Sequence, residues 1–150
     1  MREVITINKM SNSILMLISV VFMMLSGCSS TEKIEDTVTE RVVASDFVLE
    51  VTTPTVIGTG EKMKVKGTLK YTGIKPVEVA HGKPIVRFFF SGGDEERSYT
   101  DVGYVTEFKS GQVVEVEDEF LVSKKGAQNL YVDMTADISL TMNPIEILVK

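Results

Sequence analysis

From Phe47 onward the chain alternates between apolar and polar side chains. The clearest stretch is Lys62–Tyr71 (KMKVKGTLKY), where Met63, Val65, Leu69 and Tyr71 share one face with Gly67 among them. Lys62, Lys64, Lys66, Thr68 and Lys70 share the other. A period of two sustained this long predicts an antiparallel strand with one face buried and one in water, because a helix would spread the lysines around its circumference. Phe47, Leu49 and Val51 repeat the pattern before Pro54, Val77 and Val79 follow a turn at Thr72-Gly73-Ile74-Lys75-Pro76, and Ser98–Phe108 is a more polar strand candidate. Val113–Val122 places Val114, Val116, Phe120 and Val122 inward and Glu115, Glu117 and Glu119 outward. Leu130, Val132, Met134, Ala136 and Ile138 alternate next, and Ile145, Ile147 and Val149 follow near the end.

One strand breaks the rule. In Pro84–Ser91 (PIVRFFFS), Val86, Phe88 and Phe90 fall on one side, yet Ile85 and Phe89 on the other are apolar too. Either that second face is covered by ordinary packing, or Ile85 and Phe89 form an exposed contact patch for a partner.

Turn signals separate the runs: Gly58-Thr59-Gly60, His81-Gly82-Lys83-Pro84, Ser91-Gly92-Gly93-Asp94, Lys109-Ser110-Gly111-Gln112 and Lys124-Lys125-Gly126. Short strands broken every ~8–12 residues, with no amphipathic helical stripe, predict an all-β, Ig-like Greek-key β-sandwich of about seven or eight strands over residues 46–150. The lysine row of Lys62–Lys70 and the glutamate row of Val113–Val122 suit adjacent strands, where opposite charges contribute roughly 0.2–1 kcal/mol per pair.

Before Phe47 the pattern is different. Ile14–Leu25 (ILMLISVVFMML) is an apolar run broken only by Ser19, and Arg2 and Lys9 give the start a weakly basic character offset by Glu3. The run is shorter than the ~20 residues a membrane-spanning helix needs and has the length of the hydrophobic part of an export signal. Leu25, Ser26, Gly27 and Cys28 follow directly. This arrangement resembles the lipobox of bacterial lipoprotein precursors. The resemblance implies a signal peptide over residues 1–27, recognised through Leu25, Ser26 and Gly27 and cut before Cys28. A diacylglyceryl group on the Cys28 thiol would then hold the chain to the extracytoplasmic face of a membrane. Two acyl chains hold stably where one holds marginally, at roughly 0.8 kcal/mol per buried CH₂. In a bacterium with two membranes, Ser29 rather than an aspartate after the cysteine implies the outer one.

Ser29–Ser45 is polar and acidic, without Gly or Pro. With Cys28 it makes a flexible tether over residues 28–45, too poor in apolar surface to fold alone.

Tyr71–Val79 (YTGIKPVEV) and His81–Ile85 (HGKPI) are loosely similar to Ig-like modules of bacterial envelope lipoproteins and of intracellular proteinase inhibitors. That similarity implies the fold and not an activity.

Composition narrows function further. A net charge of −5 argues against nucleic acid as a partner, since phosphate binding needs clustered cations. Cys28 is the only cysteine, so no intramolecular disulfide forms. With Cys28 used by the anchor, no thiol nucleophile remains. His81 is the only histidine, which excludes a multi-histidine metal site and leaves a single imidazole base. No Gly-x-Ser-x-Gly elbow accompanies it, and Gly58 and Gly60 lack the rest of a phosphate loop. Asp94, Glu95 and Glu96 offer carboxylates to Ca²⁺, but without the spacing of an EF-hand. No cofactor is expected. These features favour a non-catalytic module that binds another envelope protein. The alternatives are a proteinase-inhibitor-like domain acting through an exposed loop and a hydrolase using His81.

Overall fold

The computed structural model describes residues 36–93, 103–138 and 140–150, and residues 35–150 cluster as one compact unit. Nine strands are found there, in two sheets. Chain order is β1 (Thr37–Ala44), β2 (Phe47–Pro54), β3 (Val56–Ile57), β4 (Lys62–Tyr71), β5 (Val77–Phe90), β6 (Tyr104–Phe108), β7 (Val113–Leu121), β8 (Gly126–Ala136) and β9 (Ile145–Val149). One sheet has the order β1-β2-β4-β7 and the other β3-β9-β8-β5-β6. The protein is an all-β sandwich.

Alternation builds the core directly. Leu49, Val51, Met63, Val65 and Leu69 from the first sheet and Val86, Phe88, Leu130 and Ile147 from the second are fully buried and belong to one cluster. The first strand of that core serves both layers. β2 leaves its sheet after Pro54, and the chain joins the opposite sheet as β3, parallel to β9. At one end of the sandwich, Phe47 lies 4.9 Å from Tyr71 and 5.4 Å from Phe108, ring centre to ring centre. Offset and edge-on contacts of this kind bring aromatic rings together without stacking their negative faces.

Two expectations change. Residues 37–44, expected as the last part of the tether, are strand β1, paired with β2 from Thr37↔Pro54 to Ala44↔Phe47. Val38, Val42 and Ala44 are too few to signal a strand alone, but β2 supplies a full ladder, and all three pack against the core. The second change lies within β5. His81-Gly82-Lys83-Pro84, expected as a turn, instead interrupts one long strand, and the pairing with β8 slips between His81 and Val86. A bulge of this kind inserts residues without ending the strand and resets which side chains face inward.

Candidate functional site

Ile85 is the residue most affected by that reset. The slip turns Ile85 and Val86 both inward, so Ile85 is a buried member of the core and offers no contact surface. Phe89 remains on the outer face, half-buried and directly opposite the exposed Tyr131. Of the two alternatives, ordinary packing is what covers Ile85, and it forms no exposed patch with Phe89.

His81 sits near the start of β5, opposite Tyr104 of β6. Its Nδ1 is 2.6 Å from the Gly82 carbonyl oxygen. A carbonyl only accepts, so Nδ1 carries the proton. Nε2 lies 2.8 Å from Thr106 Oγ1, a hydroxyl that can donate or accept. The imidazole stacks on Tyr104 at 6.0 Å, and Lys83 Nζ is 5.8 Å from the centre of the tyrosine ring. Both nitrogens of the histidine are thus engaged in local bonds, and neither is directed at a serine or cysteine.

The charged rows meet as the sequence suggests. Lys64 is directly opposite Glu119 and Lys66 opposite Glu117 across β4 and β7. The short ion pairs are diagonal, Lys62 Nζ to Glu119 Oε1 at 2.7 Å and Lys66 Nζ to Glu115 Oε1 at 3.2 Å. Both step the same way along β7, as the twist of a sheet requires. The hydrogen bond to Lys62 holds the Glu119 carboxyl below its ordinary range, and the same bond raises Lys62. This face is a solvated ladder that closes one edge of the sheet with charge.

Two grooves open on the surface. One of about 590 Å³ runs where β2 parts from β4, lined by Thr37, Thr52, Lys64, Lys66 and Glu117 among others. The other, about 430 Å³, lies between β1 and the segment Thr141–Glu146. Thr53 Oγ1 is buried with no hydrogen-bond partner beside the first groove. Among the described residues, no group of three or more His, Cys, Asp or Glu could hold a metal ion.

An almost fully exposed large apolar side chain was not singled out by sequence. Ile74, in the loop between β4 and β5, is 93% exposed. Its loop is nevertheless fixed. The buried Tyr71 hydroxyl donates to the Lys75 carbonyl, and Thr72 donates to the Asp46 carbonyl from both its backbone N–H, at 2.7 Å, and its hydroxyl, at 2.8 Å. Gly73 is buried between them, and a Cβ there would overlap the Tyr71 ring and hydroxyl. Only the signal of a turn was legible beforehand, because exposure of the isoleucine depends on where the loop is pinned.

Leu25, Ser26, Gly27, Cys28 and the carboxylates of Asp94, Glu95 and Glu96 lie outside the described residues. No protein-family model matches the chain. No curated protein matches it either. Among solved structures, a β-glucosidase from Listeria innocua in complex with glucose aligns with a TM-score of 0.42 and 14% identity, over 74% of this chain and 16% of that one. A β-glucosidase from Erythrobacter marinus gives 0.41 and 13%, over 75% and 16%. The alkylpurine DNA glycosylase AlkC of Pseudomonas fluorescens, bound to DNA, gives 0.41 and 14%, over 77% and 31%. This chain spans less than a third of each of them. Similarity this low says nothing about activity.

Proposed function

We propose that this protein is a lipid-anchored extracytoplasmic lipoprotein whose β-sandwich is a non-catalytic module for binding another protein of the cell envelope. The observation that carries the reading is Leu25-Ser26-Gly27-Cys28 placed directly after the apolar run Ile14–Leu25. Small residues let an extended backbone enter a protease cleft at the membrane surface, and the cysteine after them is the thiol that accepts the diacylglyceryl group. Among the described residues no helix is long and apolar enough to cross a membrane. The anchor in this reading is the lipid on Cys28. The engagement of both His81 nitrogens supports binding over hydrolysis. Metabolic labelling with radioactive palmitate tests the proposal. Label should enter the wild-type chain and be absent from Cys28→Ala, whereas an unlabelled wild-type chain would refute it.

A further inference from the structure

Strand β1 shortens the tether. With residues 37–44 folded onto β2, only eight residues, 29–36, lie between Cys28 and the sandwich. A coil of that length reaches roughly 16 Å, and a fully stretched chain about 30 Å. The chain enters at Thr37, opposite Pro54, and β1 runs from there toward the end that holds the β4–β5 loop. From Pro54 the chain carries on the opposite way, through Thr55, Val56 and Ile57, to the turn at residues 58–61. That turn lies about 13 Å beyond the level of entry.

The turn belongs to one bonded rim. The Lys150 carbonyl accepts from Thr59 through its backbone N–H, at 3.0 Å, and its hydroxyl, at 2.9 Å. Gly60 N–H donates to the Val122 carbonyl at 2.8 Å, and the N–H groups of Ser123 and Lys124 both donate to the Gly92 carbonyl, at 2.9 and 3.1 Å. Residues 58–61, 91–93 and 123–125 are thereby tied into one surface. A coiled tether outreaches the distance from entry to this rim by only about 3 Å. The opposite end lies about 25 Å from Thr37 in the other direction, the length of eight strand residues. To bring that end level with Cys28, the tether would have to run stretched along the whole of β1. Charge does not decide the matter. Lys62, Lys124, Lys125 and Lys150 at the rim are offset by Asp36, Glu61 and Glu119, and Asp94, Glu95 and Glu96 follow Gly93 in the sequence.

We propose that this rim is apposed to phospholipid headgroups, held there by the shortness of the tether and not by attraction to anionic lipid. The inference deepens, and rests on, the reading of Cys28 as the lipid anchor. A short link raises the concentration of one surface at another without any new contact. The sandwich then stands on its rim, and the β1–β2 turn, the β4–β5 loop and the two sheet faces are what it turns toward a partner.

The test uses the full-length, anchored protein in its native membrane, with a photo-reactive benzophenone amino acid in place of Lys125 on the rim or of Ile74 at the opposite end. Irradiation should give a phospholipid adduct on the peptide carrying position 125 and none on the peptide carrying position 74. Inserting about twenty Gly and Ser residues between Glu35 and Asp36 should lower that adduct at least about threefold, because effective concentration falls with linker length. High salt should leave it unchanged. Equal adducts at both ends, none at position 125, an adduct that persists with the longer tether, or one that high salt abolishes would each overturn the proposal. Unchanged thermal unfolding of the variants shows that the fold is retained. Palmitate labelling of the same preparations separates the two readings, since a labelled chain without the adduct removes only the apposed rim.

Discussion

Gly67 of β4 makes room for the ring of Phe88 from the opposite sheet: a Cβ added to the glycine would lie 2.8 Å from Phe88 Cζ. Phe88 is 1% exposed, so its ring has nowhere to retreat. Interdigitation of this kind lets two sheets approach at the spacing set by their largest side chains. The glycine in the otherwise regular apolar face of Lys62–Tyr71 is thus the complement of an aromatic residue on another strand.

Gly67→Ala should accordingly destabilise the domain by about 1–3 kcal/mol, the usual range for overpacking. Combining it with Phe88→Leu should give a double variant more stable than the sum of the two single effects. Urea unfolding of the four proteins checks this, and strict additivity would show that the two positions do not share one space.

The Lys62–Glu119 pair makes stability depend on pH in a defined way. Glu119 lies below its ordinary value of 4.5 when folded, so its contribution is present above that value and lost as pH falls through the folded pKa. Lys62 is raised above 10.5, so its contribution is complete below that value and lost as pH rises through the folded pKa. The stability gap between wild type and Glu119→Gln should therefore be present at neutral pH and shrink toward both extremes. Thermal unfolding across pH measures it, and because both groups are exposed, added salt should narrow it as well.

Tyr71→Phe removes one hydroxyl and leaves the aromatic cluster in place. Loss of its bond to the Lys75 carbonyl should cost roughly 0.5–1.5 kcal/mol and loosen the loop that carries Ile74. Backbone order parameters from NMR relaxation should fall at Gly73 and Ile74 and stay unchanged at Leu69. A loop equally rigid in the variant would mean that Thr72 and Asp46 alone fix it.

A chain starting at Asp46 should be less stable than one starting at Glu35, by about 2 kcal/mol or more, because β1 takes Val38 and Val42 partly out of water and pairs with the whole of β2. Equal midpoints in urea would return residues 37–44 to the tether.

These cases show which parts of the fold were legible in the sequence. Lys62–Tyr71 and Val113–Val122 declare their faces because each buries one side against the core and leaves charge on the other, and their pairing follows from the charges themselves. β1 was not legible, since a strand that borrows most of its ladder from a neighbour needs few apolar residues of its own. Ile85 was misplaced for a different reason. Counting by twos assumes an unbroken strand, and the bulge after His81 shifts the count by an amount set by pairing with β8. Nor could alternation mark Ile74, whose exposure comes from a loop held by Tyr71 and Asp46.

Everything proposed for the placement of this protein turns on Cys28, and intact-mass spectrometry of the protein purified from its native membrane reads that residue out. A chain beginning at Cys28 is expected, carrying the added mass of a diacylglyceryl group that is lost in Cys28→Ala. A chain that retains residues 1–27 and an unmodified Cys28 would contradict that placement.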